Sequence, residues 1–498
     1  MIARSSIDKT AFVLYNGSQR ARGILAPFPS NADRKGGSLM ATKTVDMLHG
    51  GIAGKVLRFT LPLMFSGLLQ ALYSAADLLV IGQWAGDKAL AAVGATVSVY
   101  SIIINLFMGL SVGVDVLASR AMGLGNRQDL RGIIDTAVLS SVLVGIPVAL
   151  LGIGLTEPLL SLLNTPHANG VFEGAAQYMK ICFLGTPFLM AFNFSSAILR
   201  TRGETRRPFL YLSLAGAVNV GLNLFFVAVC GLSVVGVALD TVISQLLSAL
   251  LILIDLCRGK DEFHFSLRRA RFSFRILGRM FRIGILVGLQ NAIFGISNSF
   301  LQSGVNSLGD AAIAGSAAAD KLEELIWVAV SSFQYAGVTF ISQNAVARKY
   351  GRVKRIALSI VGMSVLSGVL FGGGLFLLRE PVLSVFIPKD PAAMGYALDR
   401  ACITYPLYFI ASFMAVLPSV VQGLGYHSAP AMINVMGVCV LRVVWRFTVF
   451  PAFGTLVSLF SVFPVSWTVT SLSLFCAVLL SFRAVKRRYP PPADADSA

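Results

Sequence analysis

Asp77 is the residue of this sequence with the clearest chemical potential, because it lies inside an apolar run from 61 to 94. The run has the length of a membrane-spanning helix, and an ionised carboxylate facing lipid costs a few kcal/mol or more. Such an acid must be protonated, paired or placed against a wet cavity. We interpret Asp77 as a candidate functional group; the alternative is a structural hydrogen bond between helices.

Two polar side chains precede Asp77 on one face of the same predicted helix. Gln70 and Tyr73 stand about two turns and one turn earlier, so all three can line one cavity. A second polar stripe, with one residue every four positions, comprises Asn298, Gln302 and Asn306. Cavity lining explains this stripe, and hydrogen bonds between helices would also produce it.

Other charged residues inside apolar runs are secondary candidates. A group at 321–324 comprises Lys321, Glu323 and Glu324. Its spacing predicts a local ion-pair cluster or, second to Asp77, a route for protons. Asp115 and Asp240 are expected to pair with polar groups across helices. We expect Lys180, Arg442 and Arg446 to extend their charged ends toward a membrane interface.

Enzyme signatures do not stand out in this sequence: it has no HExxH, Walker or DDxxD motif. The six cysteines lie singly, without CxxC or a Cys/His cluster, so we expect no disulfide, metal site or cofactor. His427 falls in a short loop, where we expect it to be exposed. The sequence therefore does not predict an enzyme.

The composition predicts a membrane protein. Of 498 residues, 55% are hydrophobic and 13% charged, against about 45–50% and 25% in soluble domains. The net charge of +17 comes from basic clusters between apolar runs, which do not form a basic nucleic-acid-binding face. Twelve runs approach the roughly 20 residues that a bilayer demands. They are 57–82, 89–116, 133–155, 173–197, 209–229, 235–257, 283–308, 312–343, 356–378, 396–420, 430–450 and 456–482.

Loop charges predict the orientation. Most basic residues fall in loops on the side of both termini. The opposite side has only Lys88, Arg379, Lys389 and Arg400. By the positive-inside rule, both termini are cytoplasmic.

The predicted domains follow from these runs. They are a disordered tail at 1–50, an amino lobe at 51–257, a basic cytoplasmic linker at 258–282, a carboxyl lobe at 283–485 and a cytoplasmic tail at 486–498. Within the linker, the amphipathic segment FSFRILGRMFR is expected to lie on the inner leaflet. We further expect translation to start at Met40, where Lys-Gly-Gly codons upstream can encode a ribosome-binding sequence.

The two halves repeat each other at an almost constant spacing. The repeated motifs are Gly86-Asp87 with Gly309-Asp310, Gly113-Val114 with Gly337-Val338, and the segment Arg200 to Pro208 with Gln422 to Pro430. An even number of spans separates them, so the halves share one topology. The predicted fold is an all-α polytopic membrane protein with twelve transmembrane helices in two six-helix lobes related by internal duplication.

Several motifs resemble those of multidrug and toxic compound extrusion (MATE) transporters. They are Leu72-Tyr73-Ser74-Ala75-Ala76-Asp77 with Ala89 to Gly94, Ala118 to Gly123, Leu199 to Pro208, and Ile341 to Asn344. The resemblance covers about 50–485. Its bacterial branch carries a glutamine- and asparagine-rich seventh helix, matched here by Gln290, Asn291, Asn298, Gln302 and Asn306, which are expected to line the substrate cavity.

The resemblance implies roles for individual residues. Asp77 matches the acid of the first helix that takes the coupling proton or sodium ion. Asn193 and Asn219 match its polar partners on the fourth and fifth helices. Asn223 stands where the family often has a second aspartate, so we expect Asp77 to be the one acid of this site.

The carboxyl lobe departs from the sodium-coupled branch. Phe294 and Ala411 lie where that branch has acids on the seventh and tenth helices. A proton is therefore the expected coupling ion, with sodium as the alternative, because amide and carbonyl oxygens around one carboxylate also bind sodium.

The implied function is export of organic, often cationic, amphipathic compounds in exchange for a cation. The protein is expected to be a monomer in the lipid bilayer of a bacterial inner membrane, without a nucleic-acid partner. One alternative is a flippase for a lipid-linked precursor, in which Lys321, Arg442 and Arg446 would converge on a pyrophosphate. A membrane-embedded enzyme is the second alternative.

Overall fold

Twelve long helical elements make up the chain in a computed structural model that describes residues 45–162, 170–259, 261–387 and 390–488. The amino lobe contains α1 (Ala53–Ala85), α2 (Asp87–Gly123), α3 (Arg127–Leu143 continued by Gly145–Leu162), α4 (Val171–Leu184 with Thr186–Thr201), α5 (Arg206–Val229) and α6 (Ser233–Arg258). The carboxyl lobe contains α7 (Phe274–Asn306), α8 (Asp310–Val346), α9 (Tyr350–Leu377), α10 (Pro391–Gly423), α11 (Ser428–Phe453) and α12 (Leu456–Arg487), with a short helix, Arg379–Phe386, before α10.

Length and composition qualify eleven of the described helices as membrane spans, and a twelfth if the bent pair in α4 counts as one. The two halves of α4 meet at 44°, where Gly185 and Pro187 interrupt the helix. The all-helical fold of twelve spans in two lobes is therefore confirmed. The expected start at Met40 lies outside the described residues.

The seventh helix begins earlier than the sequence predicted. Ser273 caps α7 by accepting a hydrogen bond from the Ile276 backbone N–H, and the helix runs from Phe274 rather than from 283. Much of the expected amphipathic linker segment is thus the first part of α7. Met280, within it, is buried against α2.

The lobes contact each other mainly in the half of the bundle that holds the start of α1. On α2, Gly109 and Gly113 lie against Gly284, Gly288 and the Met280 carbonyl of α7. A Cβ on either α2 glycine would come within 2.3 Å of α7 backbone atoms, so only glycine permits this approach.

A second set of contacts joins α1 and α2 to α8 in the same half. The Phe59 and Phe340 rings pack edge to face at 5.4 Å, and Thr339 donates to the buried Asp115 at 3.1 Å. Asp77, Arg442 and the polar stripe of α7 lie farther along their helices, beyond these contacts. The lobes therefore meet at the end near the termini and diverge toward the other end.

Candidate functional site

Asp77 lies on α1 and is joined to α5 by a hydrogen bond. The Asn223 side-chain amide donates to Asp77 Oδ1 at 2.6 Å, while Asn223 Oδ1 is buried and has no hydrogen-bond partner within the described part of the chain. Just after Asp77, α1 ends in a π-helical turn, Ile81–Ala85. Such turns are common at functional sites, since they free backbone groups from the regular helical pattern.

A second carboxylate, Asp240 on α6, belongs to the same site. It is fully buried and accepts a hydrogen bond from Asn219 at 3.1 Å. Asn219 and Asn223 are one turn apart on α5, so one helix face holds both acids.

The expectation that Asp77 is the one acid of this site is therefore wrong. The family pattern places the second acid on α5, whereas here it lies on α6 and α5 supplies two amides. Asp240 did pair across helices as expected. The sequence could not show that Asp240 lies beside the Asn219–Asn223 face, because this depends on how α5 packs against α6.

The other residues predicted for the amino lobe have different partners. Asn193 donates to the Leu189 carbonyl of its own helix, at 2.9 Å, so the structure does not join it to Asp77. The Tyr73 hydroxyl donates to the Ser213 carbonyl of α5, and its ring packs on Gly216. Gln70 is exposed one turn earlier on α1.

The α7 stripe is exposed at the diverging end of the bundle. Asn298 and Gln302 line a cavity of about 240 Å³ in the carboxyl lobe, and Gln302 donates to Asn306 at 3.0 Å. Gln290 and Asn291, nearer the contact between lobes, are half-buried. The stripe therefore includes a cavity wall, with Gln290 and Asn291 outside it.

The group at 321–324 divides between two faces of α8. Lys321 pairs with Glu324 at 3.3 Å on the exposed face. Glu323 is buried and accepts two hydrogen bonds from Arg400, at 2.9 and 3.0 Å. The predicted single cluster is thus wrong for Glu323, because residues two positions apart on a helix face different sides.

The position of Arg400 also contradicts the prediction made from loop charges. It was placed among the few basic residues of the outer loops, yet it is buried within α10 and stacks on the Phe460 ring at 4.4 Å. Its guanidinium also binds Asp320 and Ser316. The predicted run 396–420 already contained Arg400, so its assignment to an outer loop was the error.

Arg442 does not extend to an interface as predicted. Its side chain is among the most buried of the described residues and donates to Asn298 Oδ1 at 2.8 Å. Lys180 pairs with Glu157 at 2.7 Å on an exposed surface. Arg446 stacks on the Phe450 ring at 4.7 Å.

His427 is buried rather than exposed. The loop between α10 and α11 folds against α2, and burial together with the charge of Arg120 lowers the pKa of His427 to about 3. Neither ring nitrogen has a hydrogen-bond partner among the residues that the structure describes. The imidazole is therefore neutral at ordinary pH.

The MatE family model matches this chain twice, at residues 62–223 and 287–448, and the two segments together cover more than half of it. The chain belongs to the MATE family. Two matches of one model, in series, also confirm the internal duplication. They place α1 to α5 in register with α7 to α11.

The curated relatives include proteins named for multidrug resistance, multidrug export and FAD transport. The chain is 23% identical to the probable multidrug resistance protein YoeA of Bacillus subtilis over 76% of this chain and 83% of that protein. It is 21% identical to the multidrug export protein MepA of Staphylococcus haemolyticus over 86% and 92%. It is 26% identical to an FAD transporter of Shewanella oneidensis over 74% and 83%.

Solved MATE structures share the fold. An outward-facing multidrug resistance transporter of the MOP superfamily superposes with a TM-score of 0.83 at 21% identity, over 90% of this chain and 99% of that one. A MATE in complex with MaL6 gives 0.83 at 22% identity, over 90% and 100%. The resemblance inferred from the motifs is thus confirmed, and a flippase is not favoured: Lys321 pairs with Glu324 on an exposed face and does not join the two arginines.

Metal ligands are not assembled by this chain where the structure describes it: no group of three or more His, Cys, Asp or Glu side chains has the required arrangement. Asp77 and Asp240 supply two carboxylates, flanked by amide oxygens of Asn219 and Asn223. This set can hold a proton, and its oxygens are also of the kind that bind sodium.

Proposed function

We propose that this MATE transporter is a proton-coupled antiporter that exports organic compounds, with Asp77 as the coupling acid and Asp240 as the second acid of the same site. The observation that carries the proposal is the hydrogen bond from Asn223 to Asp77, in the half of the bundle where the lobes diverge. A carboxylate held by a neutral amide, without a permanent basic partner among the described residues, is free to gain and lose a proton.

The exchange follows from electrostatics. Ionised Asp77 attracts a cationic substrate or a proton, and the two ligands compete for the same charge. Protonation removes that charge, weakens the hydrogen bond from Asn223 and allows α1 to repack at its π-helical turn. Substrate release and proton uptake are then coupled, because each ligand favours a different arrangement of α1.

The acid pair gives the site a second means of coupling. Two nearby carboxylates resist simultaneous ionisation, so they share protons as a unit. Asn219 and Asn223 hold them on neighbouring turns of one rigid helix. Protonation of either acid therefore changes the proton affinity of the other.

The setting of the site supports export. With both termini cytoplasmic, the closed end of the bundle faces the cytoplasm and the diverging lobes open outward. We place the protein in the inner membrane of a bacterium, as a monomer, in keeping with the bacterial origin of its relatives. It requires no cofactor beyond the coupling ion and carries out no enzymatic reaction.

A transport assay with imposed gradients tests this function. Liposomes that contain the purified protein are loaded with rhodamine 6G, and dye export is followed under a proton gradient, a sodium gradient or neither. We expect export with the proton gradient alone. Export driven by sodium alone would reassign the coupling ion, and absence of gradient-driven export of any dye would overturn the antiporter.

A further inference from the structure

The cavity of the carboxyl lobe has a polar wall that coupling at Asp77 does not explain. It measures about 240 Å³, and its lining includes Asn298, Gln302, Arg400 and Asp320 together with the rings of Phe460 and Phe463. Arg442 lies directly behind this lining, because it donates to Asn298 and its guanidinium stacks on Phe463 at 4.2 Å.

Arg442 is a buried cation without a counterion. Its side chain is 1% exposed, yet no carboxylate of the described residues lies within ion-pair distance. Its contacts are one amide oxygen, on Asn298, and the faces of Phe463 and Phe294. Its Nε has no hydrogen-bond partner. A buried charge is ordinarily paired, since leaving it unpaired is costly.

The acids nearest to Arg442 are engaged elsewhere. Glu323 Oε1 accepts from Arg400 Nε at 2.9 Å and from Thr404 at 2.6 Å, while Oε2 accepts from Arg400 Nη2. Asp320, at the cavity rim, also binds Arg400. Two carboxylates therefore pair directly with Arg400, whereas no carboxylate of the described residues pairs directly with Arg442.

We infer that this cavity binds the acidic group, carboxylate or phosphate, of a water-soluble aromatic anion. The Arg442 charge attracts the acid from directly behind the lining, the Asn298 amide contacts it, and the rings of Phe460 and Phe463 pack against the aromatic part. Guanidinium groups suit this task because their planar donors match the oxygens of both acids. The inference deepens the proposed function by naming a substrate class, and it rests on that function only for the occupant being transported.

Two dyes with one ring system and opposite charges test the site. Binding of fluorescein, an anion, and rhodamine 6G, a cation, to purified full-length protein in neutral detergent is measured by fluorescence anisotropy. We expect saturable fluorescein binding that Arg442→Gln weakens at least tenfold, about 1.4 kcal/mol, with rhodamine 6G affinity changed less than twofold. Arg379→Gln is the matched control, since Arg379 stacks on Phe376 outside the cavity, and fluorescein affinity should not change.

Substitutions at Asn298 keep the test decisive if Arg442→Gln does not fold. Asn298→Asp gives Arg442 a counterion inside the protein and should weaken fluorescein binding more than Asn298→Leu, which removes the amide without adding charge. Equal affinities in the two variants would overturn the inference. So would absence of saturable fluorescein binding to the wild type, or an equal loss of both dyes in Arg442→Gln.

Added phosphatidylglycerol distinguishes a soluble anion from a lipid headgroup. We expect fluorescein to remain bound; its displacement at near-equimolar lipid would overturn the assignment to a soluble anion. The binding assay uses no ion gradient, so its outcome is independent of the antiporter. Protein that exports rhodamine 6G but does not bind fluorescein would refute this inference alone, and the reverse result would refute the antiporter alone.

Discussion

In the amino lobe, Asp77 on α1 accepts a hydrogen bond from Asn223 on α5; in the carboxyl lobe, Asn298 on α7 accepts one from Arg442 on α11. The duplication relates α1 to α7 and α5 to α11, so the same pair of helices is joined in each lobe. The bond connects an acid to an amide in one lobe and an amide to a guanidinium in the other.

The charged partner of this bond is an acid in the amino lobe and a base in the carboxyl lobe, so two copies of one fold can have different functions. The amino lobe presents two acids held by neutral amides, which suits reversible binding of a cation. In the carboxyl lobe, Glu323 and Asp320 pair with Arg400, and no carboxylate of the described residues pairs directly with Arg442. We therefore propose that the amino lobe couples the ion and that the carboxyl lobe recognises acidic groups.

Replacing Asp77 should produce the largest effect. Asp77→Asn removes the titrating group while retaining the size of the side chain. Proton-driven rhodamine 6G export should fall to the level of empty liposomes, with the protein still folded and inserted. Asp310→Asn, at the exposed start of α8, should retain wild-type export. Normal export by Asp77→Asn would remove coupling from the amino lobe.

Glu323→Gln should mainly affect stability. It leaves buried Arg400 with the exposed Asp320 as its remaining carboxylate partner, and breaking a buried ion pair costs about 3 kcal/mol or more. We expect a lower free energy of unfolding in detergent, with proton coupling retained in the folded fraction. Glu324→Gln, in the exposed pair with Lys321, is the control and should change stability by less than about 1 kcal/mol. Loss of coupling at unchanged stability would place proton traffic in the carboxyl lobe instead.

His427 should make folding, rather than coupling, sensitive to acid. An unfolded histidine gains a proton below about pH 6.5, whereas the lowered pKa keeps folded His427 neutral down to about pH 3. The free energy of unfolding should therefore decrease as the pH is lowered, by up to about 2 kcal/mol between pH 6.5 and 5. Thermal unfolding at these two pH values should show a smaller loss in His427→Asn. An equal loss would exclude His427 as its source, and a shifted pH profile of transport would implicate it in coupling.

The sequence predicted the architecture well, because apolar runs and repeated motifs record helices and duplication locally. It also singled out Asp77, whose cost in hydrocarbon is visible without a structure. The roles of Asp240 and Arg442 could not be predicted in this way, because they depend on partners that lie more than twenty residues away, on another helix. From the sequence alone, Arg442 was expected at an interface, because its contacts with Asn298 and Phe463 are visible only in the structure. His427 was expected to be exposed, because the packing of its loop on α2 is likewise visible only in the structure.

Proton release on substrate binding tests the central assignment most directly. Rhodamine 6G is added to purified protein in weakly buffered detergent, and released protons are counted with a pH indicator. We expect release by the wild type, reduced release by Asp240→Asn, none by Asp77→Asn, and wild-type release by folded Glu323→Gln. Undiminished release from the double variant Asp77→Asn/Asp240→Asn would contradict the assignment of coupling to the acid pair of the amino lobe.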